Sequence, residues 1–156
     1  MEFKQNFPAD KLIPYSRNSR THSYEQITQI MASITQFGFT NPILIGPDNV
    51  VIAGHGRLLA AQRLGLTEVP VIILPDLTET QRRALVIADN KIAMNAGWDE
   101  KMLALEIGEL KDEDFDLSNL GFTDDELKAI ENFGEIQDTG NTEDDEVPEA
   151  PVEPTS

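Results

Sequence analysis

The chain has 156 residues, 40% of them hydrophobic, and a formal net charge of −16, enough apolar material for one modest core but not for several. It contains no cysteine, which excludes disulfides, thiolate metal sites and a thiol nucleophile. The start, MEFKQNFPADK, has an acidic residue and no apolar signal-peptide core, and no run approaches a membrane span, so a cytoplasmic protein without a membrane partner is expected.

Taken in chain order, Ser23 and Gln26 form a capping box ahead of Ile27, Ile30, Met31, Ile34 and Phe37, which recur at helical spacing and read as one core-facing stripe ending near Gly38. PILI and VVIA flank the turn cluster Gly46-Pro47-Asp48-Asn49, predicting an antiparallel strand pair. A buried helix from Arg57 to Leu64, closed by Gly65, leads to a β-branched strand over Val69 to Leu74. Thr78 and Gln81 cap a helix reaching about Met94. Asp99 caps another containing Met102, Leu103, Leu105, Ile107 and Leu110, and Thr123 with Glu126 starts a last short one. From residue 136 the sequence is acidic, with three prolines within seven residues, and reads as a disordered linker or tail.

Charge is divided unevenly along the chain. Residues 1–100 carry nine Lys and Arg against ten Asp and Glu, whereas residues 101–156 carry three against eighteen. An acidic second half repels a nucleic-acid backbone, so strong free-standing DNA binding is not expected, and neither is a helix-turn-helix after Trp98.

The stretch VVIAGHGRLLAAQRLG carries the most chemistry: an apolar strand enters Gly54-His55-Gly56-Arg57, which opens directly into an apolar helix. Glycines permit positive φ and close backbone approach, first-turn N–H groups lack intrahelical partners, and Arg57 adds a cationic fork, so a phosphate fits. The same glycines also make a plain tight turn, and spacing alone leaves both readings open. Arg17, Asn18 and Arg20 precede the first helix, where guanidinium and amide groups are able to fork onto phosphate or base edges. Asp89 and Asn90 pair a carboxylate with an amide oxygen, which suits a hard cation keeping several waters, though such residues on a helix are commonly solvated. Two histidines, His22 and His55, are too few for a histidine metal cluster.

In order, KLIPYSRNSRTH, FGFTNPILI, VVIAGHGRLLAAQRLGLTEVPVIIL and ALVIADNKIA resemble the N-terminal domain of the ParB chromosome-partitioning family, whose fold is shared with sulfiredoxin, over roughly Leu12 to Asn95. GHGR and ADNK together with NAGWDE are similar to ParB-like domains fused ahead of DNA-modification methyltransferases in phages and mobile elements. The resemblance implies an α/β (α+β) fold, a small mixed sheet with packed helices. It implies a turn that binds the phosphates of a nucleoside triphosphate, CTP being favoured, with Mg2+. In the family the turn usually reads Gly-Glu-Arg-Arg; here His55 stands in place of the Glu and Gly56 in place of the first Arg. Sulfiredoxin chemistry is excluded, since it needs a cysteine in this turn. Asn41 stands near the family's Gln-Pro, and Asp89 and Asn90 resemble the Glu-Asn pair that touches magnesium and phosphates.

The reading is therefore a ParB-like domain over residues 1–98, a helical extension over 99–135 and the acidic segment over 136–156. Arg17, Arg20, Gly54, His55, Gly56, Arg57 and Asn90 are expected at the nucleotide, Asp89 at the metal, and His55 as the catalytic candidate. Expected partners are the nucleotide and DNA, the latter reached indirectly or through a fused or associated methyltransferase, and a homodimer is left open. Neither a Walker lysine nor a methyltransferase motif is present, so this chain alone is not a methyltransferase. The reading is a regulatory or targeting module of a DNA-modification system. Its alternatives are a slow nucleoside triphosphatase, a metal-dependent nuclease in which Asp89 supplies the metal carboxylate, and a non-enzymatic adaptor binding a partner protein.

Overall fold

Short β-branched runs give this chain three of the four strands of its sheet. In the computed structural model, which describes residues 1–18 and 20–139, the strands are β1 (Glu2–Pro8), β2 (Ile43–Ile45), β3 (Val51–Ala53) and β4 (Glu68–Ile73). The helices are α1 (Tyr24–Phe37), α2 (His55–Leu64), α3 (Glu79–Met94), α4 (Glu100–Asp112) and α5 (Asp124–Thr139). The strands form one mixed sheet in the order β1-β4-β2-β3, with β1 antiparallel to β4, β4 parallel to β2, and β2 antiparallel to β3. The predicted strand pair is thus β2 and β3, and Asn49 takes the positive φ its turn requires. The chain is a mixed α/β protein, as the family resemblance implies.

By chain contacts the protein resolves into two compact units. One comprises Met1–Gly97 with Asn119–Gly121, the other Trp98–Ser118 with the chain from Phe122. In the first, Leu12, Ile43, Ile45, Val51, Leu58, Val69 and Val71 form a continuous apolar cluster against which Phe7, Phe39 and Ile73 pack. Arg82 of α3 is a charged side chain inside this unit, held at 3.0 Å by Asp48 of the β2–β3 turn. That pair ties the start of α3 to the hairpin that delivers α2.

Helix boundaries follow their caps. Thr78 and Gln81 exchange both bonds of a capping box, as do Thr123 and Glu126, and Asp99 accepts the N–H of Met102. At α1 the expected box is only half made. Ser23 Oγ accepts the N–H of Gln26, but the Gln26 side chain lies 2.9 Å from Nδ1 of His22. Within the predicted stripe of α1, Ile27 is buried and Phe37 is half exposed. Phe37 is the last residue of the helix.

Other differences concern extent. Strand β1 was not predicted, and α2 begins at His55, two residues before the expected start, so Gly56 belongs to the helix. Helix α5 has 16 residues and runs to Thr139, past the expected linker boundary at 136, because its apolar positions continue through Phe133 at helical spacing. The rest of the expected linker, 140–156, lies outside the described residues. Among the described residues no helix is long and apolar enough to cross a membrane.

Candidate nucleotide site

Strand β3 ends at Ala53, and Gly54 turns the chain into α2 with φ of +104°. A side chain here would be strained, and a Cβ would stand 3.0 Å from the Arg57 guanidinium and 3.2 Å from Ile43. The first helical backbone bond runs from Leu58 N–H to the Gly54 carbonyl, and no side chain caps the helix. The N–H groups of His55, Gly56 and Arg57 therefore have no partner from the helix ladder, and the positive end of the helix dipole lies there with them.

This terminus borders a cavity of about 230 Å³ lined by residues from the loop before α1, from α1, from the turn itself and from α3. Within this lining, Arg20 Nη1 donates to Asn90 Oδ1 at 3.1 Å, while Asn90 Nδ2 donates to the Val86 carbonyl at 2.8 Å. The second bond fixes which way the amide points, and the first then holds the Arg20 guanidinium against the cavity. Asn18 and Arg20 close a small turn through reciprocal bonds of 3.3 Å.

Arg57 is partly buried. Its Nη2 donates to the Pro42 carbonyl at 3.0 Å, and its Nε is buried with no hydrogen-bond partner. Burial lowers its pKa, and the nearby Asp89 carboxylate pulls it back up; a guanidinium stays charged under both influences. A buried N–H of this kind costs about 1–3 kcal/mol when left unpaired.

His55 Nε2 accepts the backbone N–H of Tyr15 at 3.1 Å. The Tyr15 hydroxyl in turn donates to Glu79 Oε2 at 2.8 Å, in the first turn of α3. Tyr15 thereby clasps the beginnings of α2 and α3 and anchors the loop that carries Arg20. Accepting this bond requires the neutral ring with its proton on Nδ1. Burial, and secondarily the charge of His22, push the His55 pKa below its ordinary value of 6.5. Because the folded value is the lower one, the stabilisation is complete above pH 6.5 and is lost as pH falls through the folded pKa. A His55→Gln variant, which keeps an acceptor but cannot titrate, is expected to melt with a flatter pH dependence than the native chain between about pH 7 and 5. Thermal melts of both proteins across that range check this.

Of the residues singled out from sequence, Arg20, Gly54, His55, Gly56, Arg57, Asp89 and Asn90 line this one cavity. Arg17 does not; it is exposed on the turn ahead of Asn18. Asn41 is exposed and also stands outside the lining, and it is the carbonyl of its neighbour Pro42 that matters, as the acceptor for Arg57. Among the described residues no three His, Cys, Asp or Glu side chains converge as a metal cluster, so Asp89 offers a single carboxylate. Sequence reasoning missed the part played by Tyr15, which no local pattern marks, and took Gln26 only for a cap.

Residues 2–91 match the family model described as the ParB N-terminal domain, and residues 101–156 match one described as the ParB-methyltransferase HTH domain. The chain belongs to the ParB N-terminal domain family. It is 51% identical over 76 residues to the ParB-like nuclease domain-containing protein YnaK of Escherichia coli, covering 49% of this chain and 87% of that one. A probable plasmid-partitioning protein ParB of Deinococcus radiodurans is 36% identical over 74 residues, 46% of this chain but only 25% of the relative. A crystal structure of the C-terminally truncated chromosome-partitioning protein ParB from Caulobacter crescentus, complexed with CTP-γ-S, shares the fold with a TM-score of 0.70 at 20% identity, covering 90% of this chain and 87% of that one.

The second match corrects the expectation that no helix-turn-helix follows Trp98. That expectation rested on charge; α4 and α5 both overlap the matched residues.

Proposed function

We propose that the chain is a nucleotide-responsive ParB-like module, the regulatory or targeting part of a DNA-modification methyltransferase system. In this reading residues 1–98 take the nucleotide and the segment from 99 on connects it to its partners. One observation carries the proposal: the uncapped start of α2 borders a cavity that both Arg57 and Arg20 line. Oriented N–H donors with two fixed guanidinium groups suit a polyphosphate better than a neutral ligand.

The chemistry of Asp89 fits a magnesium ion carried in on the phosphates and still largely hydrated, to which the protein adds one carboxylate. Asn90 suits the phosphates less directly, because its oxygen already receives Arg20. The CTP-γ-S complex of the Caulobacter relative favours CTP among the triphosphates. For His55 the geometry supports positioning more than proton transfer, since Nε2 is engaged by Tyr15. Turnover, if it occurs, is then slow.

Calorimetric titration with CTP, ATP, GTP and UTP, each with and without Mg2+, is expected to give saturable binding that is tightest for CTP and weakened when Mg2+ is withheld. Absence of binding by all four would sink the proposal. A second reading, a metal-dependent nuclease, is favoured by the likeness to the ParB-like nuclease domain-containing protein of Escherichia coli. It requires supercoiled plasmid to be nicked by the native chain and not by Asp89→Ala.

A further inference from the structure

The unit formed by α4 and α5 carries an apolar cleft that the described residues leave open. Ala104 of α4 faces Gly134 of α5, where even an added Cβ would be only 3.4 Å away, so the two helices pack closely at that point. Ile107 is buried, and Lys111 and Glu131 bridge the helices at 3.1 Å. Beside this contact lies a cavity of about 230 Å³ walled by Trp98, Leu103, Phe122 and Phe133, with Glu100 and Glu126 at it. The rings of Trp98 and Phe122 are 5.8 Å apart and tilted by 45°, yet Trp98 remains 67% exposed. A large aromatic side chain held by a neighbour and still mostly in solvent is a contact surface in waiting.

Charge selects what covers it. Residues 98–139 hold three lysines against fourteen Asp and Glu. A second copy of the chain would bring the same sign of charge, and residues 140–156 contain six acidic residues and neither Lys nor Arg. Both would be repelled, as would a nucleic-acid backbone. A cationic segment is attracted, with apolar side chains for the cleft and Lys or Arg for the Glu carboxylates and the aromatic faces.

We propose that the α4–α5 unit is a docking site for a basic amphipathic segment of a partner protein, seated in the cleft between Trp98 and Phe133. Although residues 101–156 match a helix-turn-helix family model, the surface of this unit takes a protein rather than a duplex. The proposal does not rest on nucleotide binding by the first unit.

Trp98 is the sole tryptophan of the chain and therefore reports on the cleft directly. The full chain is titrated with three probes: a synthetic 14-residue amphipathic lysine–leucine helix, an oligolysine of equal charge, and a random-sequence DNA duplex. The amphipathic peptide is expected to shift Trp98 emission saturably, to bind at least tenfold more tightly than oligolysine, and to weaken with added salt. Glu100→Lys, an exposed change, and Phe133→Ala are each expected to weaken it several-fold; if Phe133→Ala fails to fold, Glu100→Lys alone decides. No saturable shift, equal binding of oligolysine, an unchanged affinity in Glu100→Lys, or tighter binding of the duplex would each overturn the proposal.

Discussion

Replacing Arg57 by Ala is expected to weaken triphosphate binding roughly ten- to a hundredfold, the loss of one charge-assisted contact of about 1.5–3 kcal/mol. Sequence alone suggests that this change leaves the fold intact, because the side chain is polar and stands at the start of a buried helix. The structure argues otherwise. Arg57 Nη2 holds the Pro42 carbonyl at 3.0 Å, just before β2, and its removal frees that acceptor. A further loss of about 1–3 kcal/mol in stability follows if the carbonyl stays dry. For a domain of this size each kcal/mol corresponds to about 4–8 °C in the midpoint. The two effects separate in Arg57→Lys, which keeps a charge but has no Nε and no fork. It is expected to recover part of the stability and little of the affinity. Calorimetry beside thermal melts measures both, and undiminished triphosphate binding by Arg57→Ala would remove the phosphate role from this turn.

What was legible in the sequence was local. The caps at Ser23, Thr78 and Asp99, the glycines around α2, and the turn between β2 and β3 each act over a few residues, and each stands where its pattern put it. Strand β1 was invisible because EFKQNFP has no continuous apolar alternation; it becomes a strand by pairing with β4, more than sixty residues on. The cavity was half legible for the same reason. Its turn, Arg20, Asp89 and Asn90 were found through order and resemblance, while the bonds that hold them, Tyr15 to His55 and Arg57 to Pro42, join residues 40 and 15 positions apart. The helix-turn-helix match was obscured by a different cause. Acidic composition governs what a surface attracts, and it says little about whether two short helices pack.

Gly56 illustrates how a departure from a family pattern is compensated elsewhere in the chain. At this position the resemblance expects an arginine, and the structure has no room for one: a Cβ on Gly56 would stand 2.9 Å from the His22 ring and 3.0 Å from Cδ1 of Ile30. The imidazole of His22, tethered by Gln26, occupies the space at the start of α2 where the family side chain would begin. Gly56→Arg is therefore expected to force α1 away from α2 and to lower stability by about 1–3 kcal/mol, the usual range for overpacking. Through the scaling above this is a drop of roughly 5–20 °C in the midpoint. Because the closest clash is with a removable ring while Ile30 Cδ1 is the end of a flexible side chain, His22→Ala in the same chain is expected to recover much of the loss, giving a coupling energy well outside the additivity of independent sites. The restored arginine would then face the cavity beside the α2 terminus, and triphosphate affinity in the double variant should equal or exceed that of the native chain. A Gly56→Arg protein as stable as the native one, or a double variant no more stable than the single, would show that His22 and Gly56 are not coupled.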